Sequence, residues 1–121
     1  MRNQPRYALL KNARYALEGL REVFAQETSF RIEAALSLVV WIGLFFVQMP
    51  LIAKAALGLS MLLVLIAELA NSAIERVVDL VTQERHPLAK HAKDAGAAMV
   101  LLSVVFAAVV WIVTLYLVYF D

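Results

Sequence analysis

Hydrophobic and polar positions along this chain separate into long blocks rather than short alternations. Residues 34–49 (AALSLVVWIGLFFVQM), 55–67 (AALGLSMLLVLIA) and 95–120 (AGAAMVLLSVVFAAVVWIVTLYLVYF) contain no charged side chain. A helix needs about 20 mainly apolar residues to cross the hydrocarbon core of a bilayer. The third block meets that length alone. The first meets it once residues 30–33 and 51–53 are counted as flanks. The second meets it only by running on through ELANSAIERVVDL, residues 68–80, which carries Glu68, Asn71, Glu75 and Asp79. Ahead of these blocks, residues 8–26 repeat apolar side chains at spacings of three and four: Leu10, Ala13, Leu17, Leu20 and Phe24. That period predicts an amphipathic helix, with Lys11, Asn12, Glu18 and Glu22 on its other side and Arg14 and Arg21 flanking the stripe. Such a helix lies in the membrane interface or packs on the bundle. The fold class expected is all-α integral membrane: an N-terminal amphipathic surface helix over residues 1–28, then transmembrane helices over 30–49, 51–82 and 92–120, in one domain.

Composition narrows the function. The chain is 63% hydrophobic and only 17% charged, against about 25% charged in soluble domains. The absence of cysteine removes disulfides, thiolate metal sites and cysteine nucleophiles. A net charge of +1 without a basic run gives no reason to expect a nucleic-acid partner. A cleaved signal peptide fits poorly, because the segment before the first block is long and holds Glu18, Glu22, Glu27 and Glu33. Basic residues concentrate before Gln26 (Arg2, Arg6, Lys11, Arg14, Arg21) and between the second and third spans (Arg85, Lys90, Lys93). Only Lys54 lies in the connection between spans one and two. The positive-inside bias therefore puts the N-terminus and the second connection in the cytoplasm, and the C-terminus outside. Pro87 either closes the second span's helix or opens a short helix into the third.

On this orientation Glu68 lies about 25 Å along the second span, just inside the cytoplasmic edge of the apolar core. Asn71, Glu75 and Asp79 share its side of the helix and continue outward. Carboxylates at that depth must face protein, water or a cation, and Glu75 and Asp79 repel each other unless a positive partner sits beside them. Lysines and arginines of the same layer, or Mg²⁺ held by one or two carboxylates and substrate phosphates, supply such a partner; Glu27 enters at the same depth from before the first span. A structural ion-pair network fixing helix register is the plainer alternative. His86 and His91 lack partners at metal-ligand spacing. Trp41 and Trp111 suit packing inside their spans, and Tyr116, Tyr119 and Phe120 suit an interfacial aromatic belt. Ser60 and Ser103 can bond to their own helix backbone.

ELANSAIERVVDL followed by HPLAKHAKDAGAA resembles the signature of the prokaryotic diacylglycerol kinase family: E-x-x-N-[ST]-A-I-E-x-x-V-D, then A-K-D before the last span. The similarity extends to the length, the three spans, the amphipathic first helix and ETSFRIE. It implies a homotrimeric bundle, with active sites shared between neighbours at the cytoplasmic face of a bacterial inner membrane. ATP would be co-substrate, Mg²⁺ the cofactor, and diacylglycerol or undecaprenol the lipid partner; the first helix and ETSFRIE lean toward diacylglycerol. By the same resemblance Glu68 would be the general base, supported by Asn71. Glu27 and Glu75 would hold the metal. Tyr15, Glu27, Glu75, Asp79, Glu84, Arg85, His86, Lys93 and Asp94 would meet the nucleotide. Arg21, Phe24, Phe30, Arg31 and Glu68 would meet the lipid. The chain departs from its relatives at Ala8, where an arginine is common and Arg6 is the substitute at hand, and at Ala95 and Ala97. It has no G-x-x-x-x-G-K-[ST] loop, so ATP follows from the resemblance alone. A small oligomeric proton or cation pathway would use the same acidic stripe, but leaves Glu27, Lys93 and Asp94 idle. A membrane scaffold would use the acids only as partners for Lys90 and Lys93.

Overall fold

The computed structural model describes residues 8–121; Arg2 and Arg6, the latter the substitute for the arginine common at Ala8, lie outside them. Four helices follow in order: α1 (Leu9–Gln26), α2 (Thr28–Phe46), α3 (Leu51–Val81) and α4 (Pro87–Tyr119). Three of them, α2, α3 and α4, are long and apolar enough to cross a membrane, and the described residues form an all-helical fold.

Local chemistry sets the breaks between helices. Glu27 alone separates α1 from α2, in an extended conformation (φ −117°, ψ 110°), and its N–H still bonds to the carbonyl of Val23. Pro50 precedes α3, where a residue without an N–H loses nothing, and its carbonyl accepts from Ala53 and Lys54 at 3.0 and 3.1 Å. Pro87 occupies the first turn of α4 while His86 caps it, Nδ1 accepting from the N–H of Leu88 at 3.1 Å. Of the two readings of Pro87 the structure keeps the second, that it opens a helix, and that helix is α4 itself rather than a short one before it. α3 ends at Val81, five residues ahead of His86, and α4 runs unbroken from Pro87 into the third span, earlier than the expected start at 92.

At 1.5 Å per residue, α3 and α4 are about 46 and 50 Å long, well beyond a hydrocarbon core of about 30 Å. Their excess, the C-terminal part of α3 and the N-terminal part of α4, stands out from the apolar zone as a helical pair. Among the described residues these two helices make the most extensive contact; α2 packs on α3 less closely, and α1 on α2 least, with Val23 of α1 against Phe30 of α2. The core is small. Val23, Phe30 and Leu65 form its buried centre, with Ala34, Trp41 and Leu69 against it, and Leu57 is fully buried farther along α3. Trp41 donates to the carbonyl of Gly58 at 3.1 Å and Trp111 to Ser60 Oγ at 3.1 Å, so both indoles tie their helices to α3. Ser60 and Ser103 donate to the carbonyls three residues back, as expected of hydroxyls in apolar helices. Lys54, which had no expected role, reaches a carbonyl in the last turn of α2, that of Phe45, at 3.5 Å. Outside these seams the large apolar side chains point outward, including Phe45, Leu51, Leu102 and Ile112. A helix apolar all round is stable when lipid or neighbouring protein covers it.

Candidate functional site

The polar residues of the chain converge where α3 leaves the apolar zone. Along about 16 Å of α3, from Glu68 to Asp79, three groups of side chains succeed one another.

The deepest is a pair of carboxylates. Glu68 is half-buried, and Glu33 of α2 is its neighbour. Glu33 Oε2 is buried with no protein partner. Sequence reasoning treated Glu33 only as a flank of the first span; its place in ETSFRIE, two turns beyond Glu27 on the way into the membrane, was the signal available.

The middle group joins α3 to the α1–α2 break. Asn71 donates from Nδ2 to Glu75 Oε1 at 3.1 Å. Its own Oδ1 is buried without a partner, pressed against Gly96 of α4. One residue on, the buried Ser72 donates to Glu27 Oε1 at 2.6 Å. The guanidinium of Arg76 takes the other oxygen, Nη2 to Glu27 Oε2 at 3.0 Å, and pairs through Nη1 with Glu22 of α1. Ser72 was quoted in the motif without a role, and Arg76 was only one of several available cations. Their partners depend on the fold-back at Glu27, which spacing within α3 does not reveal.

The outer group belongs to the α3–α4 pair. Lys93 donates to Asp79 at 2.7 Å, the positive neighbour that the Glu75–Asp79 spacing requires. Lys90 pairs with Asp94 one turn along α4 at 2.6 Å. Between the two helices and their turn lies an open cleft of about 770 Å³, lined by Asp79, Glu84, Arg85, His86, Lys93 and Asp94 among others. Six residues expected to meet the nucleotide therefore share one cavity. Glu27 and Glu75 sit deeper, in the middle group, and Tyr15 is half-buried on α1.

The residues expected to meet lipid divide. Arg21 and Phe24 are exposed on α1. Phe30 instead is buried against Val23 and Leu65, because the turn at Glu27 swings the start of α2 under the end of α1. Arg31 turns back onto α1. Its Nη1 donates to the carbonyls of Phe24 and Ala25 at 3.0 and 2.8 Å, and its Nη2 to Thr28 Oγ1 at 3.0 Å.

Among the described residues no group of three or more His, Cys, Asp or Glu side chains is placed to hold a metal unaided. Mg²⁺ asks for less than such a group: it takes one or two carboxylates and leaves its other positions to water and phosphate oxygens. Glu27 also already holds a cation, the Arg76 guanidinium. The residues present fit the ion.

Fold and site together define a small helical membrane protein whose acids, amide and lysines meet at the edge of the apolar zone. Comparison with known sequences makes the class specific. The profile of prokaryotic diacylglycerol kinase matches residues 14–115, and the chain belongs to that family. It is 39% identical over 103 residues to the diacylglycerol kinase of Haemophilus influenzae, covering 85% of this chain and 87% of that one. It is 36% identical over 108 residues to that of Escherichia coli K12 (89% and 88%) and 38% identical over 103 residues to that of Pseudomonas aeruginosa (85% and 84%).

Proposed function

We propose that this chain transfers the γ-phosphoryl group of ATP to the primary hydroxyl of diacylglycerol, forming phosphatidic acid at the cytoplasmic edge of the bacterial inner membrane. The observation that carries this reading, beside family membership, is the stripe of polar side chains along α3. It leads from the half-buried Glu68 through Asn71 and Glu75 to Asp79 at the cleft.

Phosphoryl transfer asks for positioning and charge neutralisation more than for covalent chemistry. ATP enters the cleft, where Lys93, Arg85 and the polar turn 84–86 receive its charged and polar groups, and Asp79 keeps Lys93 in place. The lipid stays in the bilayer and offers its hydroxyl sideways to Glu68. Glu68 accepts the hydroxyl proton as the hydroxyl oxygen bonds to the γ-phosphorus. The bond from that phosphorus to the β,γ-bridging oxygen breaks, and ADP leaves. Asn71 steadies Glu75 through its amide. Glu27 and Glu75 are the side chains that would hold Mg²⁺, which when bound neutralises phosphate charge. The homotrimer, the cytoplasmic N-terminus and the division into a surface helix and three spans complete the reading; exposed apolar faces on α2, α3 and α4 support an assembly embedded in lipid.

Diacylglycerol is favoured over undecaprenol by the relatives, each a diacylglycerol kinase. The test is to reconstitute the protein in vesicles with Mg²⁺ and ATP, offering both lipids side by side. Phosphatidic acid is the expected main product. Preferential phosphorylation of undecaprenol, or of neither lipid, would refute the assignment.

A further inference from the structure

Among the described residues, Glu27 is the one carboxylate of the site with both oxygens engaged by protein donors. The Ser72 hydroxyl holds Oε1 at 2.6 Å and Arg76 holds Oε2 at 3.0 Å. The two partners differ in kind. Ser72 is buried and neutral, so it fixes the carboxylate without opposing a cation. Arg76 is charged and its side chain is 44% exposed, with its second terminal nitrogen on Glu22, itself 49% exposed, whereas Glu27 is 27% exposed. The carboxylate is therefore the fixed member and the guanidinium the movable one.

We propose that Arg76 is a built-in counter-cation of Glu27 that a divalent ion displaces, with Glu22 as the seat that keeps Arg76 when it leaves. This rests on Glu27 being a metal ligand. A guanidinium and a divalent cation on one carboxylate oxygen repel each other at contact distance, so occupation by one disfavours the other. Before metal arrives, Arg76 neutralises a carboxylate at the membrane edge and holds the end of α1 against α3. After metal arrives, Arg76 retains a partner on α1 and stays in the layer where phosphates are handled. Arg76 acts through Glu27, as a positioning residue that sets metal affinity.

The experiment measures Mn²⁺ binding by electron paramagnetic resonance to the full-length protein in lipid nanodiscs, without nucleotide. Arg76→Gln is expected to tighten binding about two- to fivefold, the range set by an exposed ion pair, while Arg76→Lys, which keeps the charge, stays near the parent value. In the unsubstituted protein, the nitrogen-15 resonance of the Arg76 guanidinium is expected to shift on addition of diamagnetic Mg²⁺; this second measurement needs no variant to fold. Unchanged or weaker Mn²⁺ binding in Arg76→Gln, or a guanidinium resonance indifferent to saturating Mg²⁺, would overturn the exchange. Mn²⁺ uptake that is absent, or that survives Glu27→Gln, would overturn the metal assignment itself. Loss in Glu27→Gln without tightening in Arg76→Gln would sink the exchange alone.

Discussion

Asn71 divides its amide between two neighbours. Nδ2 donates to Glu75, while Oδ1 is buried in the α3–α4 seam where only a glycine at 96 leaves room, since a Cβ there would overlap it. Overpacking a seam of this kind costs about 1–3 kcal/mol. Gly96→Ala is therefore expected to lower thermal stability in detergent by that amount and, by turning the amide off Glu75, to reduce kcat. Gly43→Ala is the control, because a Cβ at that position meets nothing within 4 Å. Equal stability and kcat in the two variants would show that the fit at Gly96 has no bearing on Asn71. Individual roles of this kind were partly legible. Asn71 stood out as an amide in an acidic stripe; that it packs on Gly96 appears only when α3 and α4 are brought together.

At the scale of elements, α1 is held chiefly by its end. Val23 is its buried residue, and the Arg31 guanidinium closes over the carbonyls of Phe24 and Ala25, a cation at the negative end of a helix. Arg31→Ala removes this tie while leaving the α3–α4 pair untouched. Hydrogen exchange should then accelerate over the last two turns of α1 by about tenfold, for a loss of roughly 1–2 kcal/mol, with rates in α4 unaltered. Unchanged exchange in α1 would show that other contacts hold it. The helices themselves were readable because apolar block length and a 3.6-residue period report helix and span directly. The break at Glu27 was less so: no proline or glycine marks it, and the surface helix and first span were expected to meet a residue or two later. That single residue decides where Glu22, Glu27, Phe30 and Arg31 end up, which is why Phe30 packs against Val23 and Leu65 and Arg31 bonds to the end of α1.

For the whole molecule, the proportions of α3 and α4 matter most. Two helices about 16–20 Å longer than the hydrocarbon core carry both apolar spans and a polar cleft between their ends. The same proportions let one helix carry Glu68 half-buried among the spans and Asp79 at the cleft. The motif on α3 made this arrangement legible, because four spaced polar residues on a membrane helix are costly unless used. Contacts between helices were not legible, the Glu33–Glu68 pair and the Arg76 bridge above all, since they join residues from separate spans. The decisive measurement is phosphoryl transfer by Glu68→Gln, reconstituted at the same oligomeric state as the parent protein and supplied with Mg²⁺, ATP and diacylglycerol. If Glu68 takes the proton from the lipid hydroxyl, kcat falls by about 10²–10⁴-fold while the protein still inserts and binds nucleotide. A rate within a few-fold of the parent would contradict it.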